Sequence, residues 1–141
     1  MKSRVNRILS VGIVLAAAMA AHAQTPRLTA DVPFPFYVGT HLMPQGSYKV
    51  DETADGHVAW IRSMGQRDAL QAITTFNVEG KKLTEPARLV FHRYGDEYFL
   101  AQIWTGMSST GLALRTTTKE KELAQAGVPG AVAIIRVALY R

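Results

Sequence analysis

Arg88-Leu-Val-Phe-His-Arg-Tyr-Gly-Asp-Glu-Tyr-Phe-Leu-Ala-Gln-Ile-Trp104 reads as one antiparallel hairpin. Gly95-Asp96 is a two-residue loop with glycine at its first central position, where a type II′ turn needs a positive φ without a Cβ clash. That turn sets Arg93 opposite Tyr98, Phe91 opposite Leu100 and Leu89 opposite Gln102. Val90, His92, Phe99, Ala101 and Ile103 then point to the other side. Both faces are largely apolar, so both must be covered and the hairpin belongs inside a sheet.

Upstream, Lys2, Arg4 and Arg7 lead into an apolar run from Ile8 to Ala21, and Ala21-His22-Ala23 is a small-x-small cleavage signature. This is the pattern of a secretory signal peptide over residues 1–23. Its run of about 14 apolar residues is shorter than a bilayer-spanning helix requires. The expected product, residues 24–141, is one β-rich domain in the periplasm or the medium, with no transmembrane anchor after cleavage. The full chain carries a formal charge of +5. Three basic residues leave with the leader, so 13 basic residues face 11 acidic ones and the mature charge is +2. That balance gives no nucleic-acid footprint, which needs clustered Lys and Arg. The absence of cysteine excludes disulfides, thiol catalysis and cysteine-held zinc, so burial alone must hold the fold.

Outward from the hairpin the chain is strand-rich. Residues 24–29 read as a loose lead, and Val32-Pro33-Phe34-Pro35-Phe36-Tyr37-Val38-Gly39 as an edge segment whose prolines remove ladder donors. Tyr48 and Val50 alternate with Lys49 and Asp51, and Asp55-Gly56 turns the chain back along residues 57–63. Tyr48, Val50, Ala59 and Ile61 then share an inward face. Gly65-Gln66 reads as a further tight turn, placing Ile61 opposite Leu70 and Trp60 opposite Gln71. Thr117 and Glu120 have capping-box spacing for a short helix running to Ala126 and ended by Gly127, with Leu123 and Ala126 docked on the sheet. Residues 131–140 are apolar and β-branched, the composition of a strand buried on both faces. The fold class is therefore all-β: an antiparallel β-sandwich or small barrel of seven to eight strands, with one short helix before the last strand. Eight spanning strands of roughly ten residues would exhaust the mature chain, which argues against an outer-membrane barrel.

Residues 32–39, Pro44-Gln45-Gly46-Ser47-Tyr48-Lys49-Val50, residues 88–100 and Glu122-Leu123-Ala124 together resemble an uncharacterised family of small exported all-β proteins of Gram-negative soil bacteria. The chain departs from it in having Met43 where leucine is expected before the proline, and in a more apolar tail after Gly127. The resemblance implies export and a small domain. It transfers no activity, ligand or catalytic residue.

No constellation of catalytic residues is ordered by spacing. His41, His57 and His92 lie too far apart in sequence to share one element, so no metal or other cofactor is expected. Ser108 lacks the closing glycine of a nucleophile elbow, and a triad of Ser108 or Ser109 with His92 and Asp96 rests on common residues alone. Trp104, aligned with Phe91 and Leu100, reads as core. Trp60 is different, because the turn registers put it on the polar face with Lys49, Arg62 and Gln71, where an aromatic can stack on a sugar ring or anchor a protein. Trp60, Arg62, Lys49 and Gln71 are therefore the ligand-binding candidates. The leading expectation is a non-catalytic, exported binding or interaction module of the cell envelope, its partner a polysaccharide or protein. The alternatives are a carrier holding a small apolar ligand inside a β-barrel, and a hydrolase with an unrecognised site.

Overall fold

A computed structural model describes residues 27–65, 70–82 and 85–140; the leader, residues 1–23, lies outside them. Its elements are β1 (Arg27–Val32), β2 (Phe36–Val38), β3 (His41–Met43), β4 (Gly46–Glu52), β5 (Val58–Ser63), β6 (Leu70–Glu79), β7 (Arg88–Tyr94), β8 (Glu97–Trp104), β9 (Thr110–Leu114), α1 (Thr118–Gln125), β10 (Gly130–Arg136) and β11 (Ala138–Tyr140). Eight strands have five or more residues, and β2, β3 and β11 have three. The hydrogen-bonded order is β10-β7-β8-β9-β6-β5-β4-β1-β11, with β2 between β3 and β8. All ladders are antiparallel except β2 on β8. The ten-residue β6 pairs β5 through residues 70–74 and β9 through residues 75–79, so it bends from one layer into the other. The result is an all-β sandwich whose ladder is not closed, since β10 and β11, the two ends of the order, form no pairing among the described residues.

Period-two alternation builds the core. Leu28, Ala30, Val32, Tyr48, Val50, Ala59 and Ile61 face inward from one layer. Leu89, Phe91, Leu100, Ile103, Leu112 and Leu114 meet them from the other. Phe36 fills the middle edge-on to Tyr48 and Phe91, at centroid distances of 5.1 and 5.3 Å. Each such ring stabilises the fold by about 2–3 kcal/mol through burial.

The anchoring hairpin forms with Arg93 opposite Tyr98 and Phe91 opposite Leu100. Gly95 has φ 60° and Asp96 has no positive φ, as a type II′ turn requires. Further along, an irregularity between Val90 and Phe91 pairs Leu89 with Ile103 and Val90 with Gln102. The expected Leu89–Gln102 pairing is therefore corrected by a bulge. Strict alternation would have turned Gln102 into the core and Ile103 out of it; the extra residue restores Ile103 to the interior.

Further expectations are corrected. Residues 27–29 are not a loose lead but the start of β1, which lies between β4 and β11 because Leu28, Ala30 and Val32 supply an inward row. The prolines lie before β2 rather than in it, and β2 is internal, leaving β3 as the edge. The β5–β6 register is one residue from that expected: Ile61 faces Gln71 and Trp60 faces Ala72. The expected Gly65-Gln66 turn lies partly outside the described residues, Gln66 being among those not described; β5 ends at Ser63 and β6 begins at Leu70. With so long a connection, the register follows β6's own contacts: Ile73 lies opposite Ala59, and the buried Thr75 hydroxyl donates to Gly56 O at 3.0 Å. In α1, Thr117 caps as expected, accepting from Glu120 N at 3.2 Å, and Gly127 takes φ 75°. Leu123, however, is only half-buried and Ala126 is exposed; Glu120 is the residue that docks. Lastly, the apolar C-terminal stretch breaks at Val137, and β10 is an outermost strand with Val132 63% and Ile134 56% exposed.

Candidate functional site

Beside the outer face of the hairpin lies a cleft of about 410 Å³. Tyr37 reaches it from β2. Just after β2 the chain turns at Gly39, with φ 60°. A Cβ on Gly39 would sit 3.0 Å from Ile73 Cδ1, a tight contact to which the isoleucine end must yield, and the positive φ is what favours glycine here. Phe99 enters from β8, and the segment Arg115-Thr116-Thr117-Thr118-Lys119 joining β9 to α1 forms the opposite wall.

Tyr37 stacks on Phe99 with centroids 5.0 Å apart and rings inclined by 16°. Lys119 Nζ lies 4.3 Å from the centroid of the Tyr37 ring, donates to the Tyr37 hydroxyl at 2.7 Å, and donates to Glu97 Oε1. The Tyr37 hydroxyl in turn donates to the same carboxylate oxygen at 3.4 Å. The Glu97 hydrogen bond, and after it the Tyr37 one, raise the Lys119 pKa above the ordinary lysine value. Lys119 is thus a held cation whose charge is answered within the protein. Arg115 differs. It is exposed, has no hydrogen-bond or ion-pair partner among the described residues, and no carboxylate lines the cleft with it.

A second tie fixes the helix above this face. His92 Nδ1 is 2.6 Å from Glu120 Oε1; the Glu120 side chain is 5% exposed and that of His92 39%. Glu120 has the capping-box position, yet its carboxylate reaches the sheet and pins α1 to β7.

Of the residues singled out by sequence, Trp60 lies on the solvent face, 40% exposed, between Asp51 and Ala72 of the neighbouring strands. Lys49 and Arg62 are cross-strand partners on that same face. Gln71 is not with them. The shifted register pairs it with Ile61 on the inward side, and its amide donates to Ala72 O at 3.0 Å. Trp104 is core, 4% exposed, with Nε1 donating to Gln102 Oε1 at 3.0 Å and the Arg88 guanidinium 4.6 Å from its ring.

The residues of the conceivable triad are not brought together. Asp96 is in the turn before β8 and Ser108 in the loop after it, with eight strand residues between, or about 25 Å. Ser108 Oγ donates instead to Thr110 O at 2.9 Å. His41 is exposed on β3 and His57 lies in the β4–β5 loop. Among the described residues no three His, Asp or Glu side chains converge as a metal site.

Sequence reading missed the cleft because its parts are remote: Tyr37 is 60 residues from Glu97 and 82 from Lys119. The one local signal was the Arg-Thr-Thr-Thr-Lys run, whose threonines were legible only as a cap. No family model, curated protein or solved structure matches the chain.

Proposed function

We propose that the protein is an exported, non-catalytic binding module whose cleft takes a small organic anion with an apolar body. Support for export comes from the leader pattern of residues 1–23. Support for the ligand class comes from one observation above all: among the described residues Arg115 has no partner and no acidic side chain lines the cleft, which is walled by Ile73, Phe99 and Tyr37. An aliphatic or aromatic body covers the apolar wall, its carboxylate meets the guanidinium, and the threonine hydroxyls offer further hydrogen bonds. No group here is poised to transfer a proton or attack a carbonyl. The interior is occupied by Tyr48, Phe36, Phe91 and their neighbours, so the carrier reading moves from the barrel interior to this rim cleft.

Titration calorimetry with octanoate, with octanol as the neutral control, tests the proposal on protein exported by cells expressing the full chain. Octanoate is expected to bind more tightly than octanol. Arg115→Gln should weaken octanoate about fivefold, the worth of a partly exposed ion pair near 1 kcal/mol. Equal binding of acid and alcohol, or no effect of Arg115→Gln, refutes the anionic class; no binding of either refutes the cleft as the site.

The exposed Trp60 beside Arg62 supports a second reading, a flat platform for an envelope polysaccharide. Co-sedimentation with peptidoglycan and insoluble polysaccharides, lost in a folded Trp60→Ala variant, is the result that reading requires.

A further inference from the structure

The cleft is lined by two cations of unequal standing. Arg115 and Lys119 both face it from the segment that leads out of β9 and into α1. Lys119 is answered within the protein: its Nζ donates to Glu97 Oε1 and, at 2.7 Å, to the Tyr37 hydroxyl. Arg115 has no such partner among the described residues. Glu97 does not itself line the cleft. It begins β8, accepts from the Tyr37 hydroxyl as well at 3.4 Å, and forms with Lys119 a partly shielded pair whose side chains are 34% and 45% exposed. Arg115 and Lys119 contribute two positive charges and Glu97 one negative, so the group carries a net charge of +1. A single anionic group meets Arg115 without competition. A second negative charge would have to draw Lys119 away from Glu97 and leave that carboxylate unanswered.

We propose that Glu97 is a specificity-determining residue: by holding Lys119 it fits the cleft to ligands that carry one negative charge and selects against those that carry two. This rests on the reading of the cleft as an organic-anion site and adds the ligand's charge to it. The raised Lys119 pKa agrees with the pairing, since the Glu97 hydrogen bond and then the Tyr37 one favour the charged amine. The same contacts fix the apolar wall. With its hydroxyl engaged by Lys119 and Glu97, the Tyr37 ring is held in its stack on Phe99, at a centroid distance of 5.0 Å. A carboxylate outside the lining therefore both sets the charge of the cleft and positions its aromatic side.

The test is calorimetry on the exported protein at about pH 8 with octanoate, which carries one charge, and octyl phosphate, which carries two because the second pKa of a phosphate monoester is about 6. Wild type, Glu97→Gln and the double variant Glu97→Gln/Lys119→Gln are compared. Wild type is expected to bind octanoate more tightly. Glu97→Gln frees Lys119 and should move the ratio of the two affinities about fivefold toward octyl phosphate, the worth of one partly exposed ion pair. The double variant leaves Arg115 to face the ligand alone and should return the ratio to the wild-type value. An NMR titration of the Lys119 side chain needs no ligand, and should show its pKa falling in Glu97→Gln. A wild type that prefers octyl phosphate, an unchanged ratio in Glu97→Gln, or a shift that persists in the double variant overturns the inference, while octanoate binding keeps the cleft as an anion site. A Lys119 pKa that does not fall in Glu97→Gln overturns it without reference to any ligand. Binding of neither compound to any of the three proteins overturns both readings.

Discussion

Replacing Gly39 by alanine separates two physical reasons for one residue and bears directly on the cleft. Gly39 has φ 60°; holding a residue with a Cβ in the left-handed region costs roughly 1–2 kcal/mol. The added Cβ also comes 3.0 Å from Ile73 Cδ1. That is about half an ångström inside a comfortable carbon contact, and because the neighbour is the end of a flexible side chain, yielding costs less than about 1 kcal/mol. The sum is about 2 kcal/mol, equivalent to a fall in Tm of roughly 8 °C for a domain of this size. Urea unfolding followed by tryptophan fluorescence measures it. Gly39→Asn tolerates the same backbone at lower strain, so it should regain about half of the loss. Adding Ile73→Val to Gly39→Ala should relieve only the contact part. Displaced Ile73 also narrows the cleft, so octanoate affinity should drop even under conditions where the variant is fully folded. A Gly39→Ala protein as stable as wild type would refute the reasoning, and one destabilised equally by Ala and Asn would refute the backbone share of it.

The His92–Glu120 tie should behave as a coupled pair. His92→Ala leaves the nearly buried Glu120 carboxylate without its partner and should cost about 1–3 kcal/mol, toward the lower end because the imidazole side is 39% exposed; in a double-mutant cycle with Glu120→Gln the losses should fall short of additive, and strictly additive unfolding energies would mean the pair does not hold α1. Glu52, at the end of β4, has its carboxyl pKa raised by burial. The folded state then binds that proton more tightly than the unfolded chain does, so the contribution is fully present at low pH and is lost as pH rises through the folded pKa. Glu52→Gln should therefore gain in Tm relative to wild type as pH rises above the ordinary glutamate range, and parallel Tm curves for the two proteins would contradict this.

Much of the fold was written locally. The Gly95-Asp96 turn, the Thr117 cap, the Gly127 stop and the alternation of Tyr48 and Val50 with Lys49 and Asp51 are each decided within a few residues, by backbone sterics or by a side chain reaching a nearby amide. Those are short-range energies, and a sequence displays them directly. Trp60 on the solvent face was equally legible, because its parity is fixed by the Asp55-Gly56 turn.

The rest depended on partners distant in the chain. Nothing near Gln71 says that the six residues between β5 and β6 would let Ile73 and Thr75 choose the inward side; that choice was made by Ala59 and by the carbonyl of Gly56. The bulge in β8 was implicit in Gln102 and Ile103 standing at the wrong parity, but only the packing of Ile103 on Leu89 made it necessary. Composition made the last strand look buried, and topology left it on an edge. The cleft is the plainest case: Tyr37, Glu97 and Lys119 form one hydrogen-bonded group because β2 inserts parallel to β8 and α1 returns over it. Local propensity fixed the turns, the helix cap and the inward faces of β4 and β5 by themselves, whereas the β6 register, the β8 bulge, edge position and the cleft were settled by long-range burial and polar satisfaction, whose energies exist only once the layers have packed.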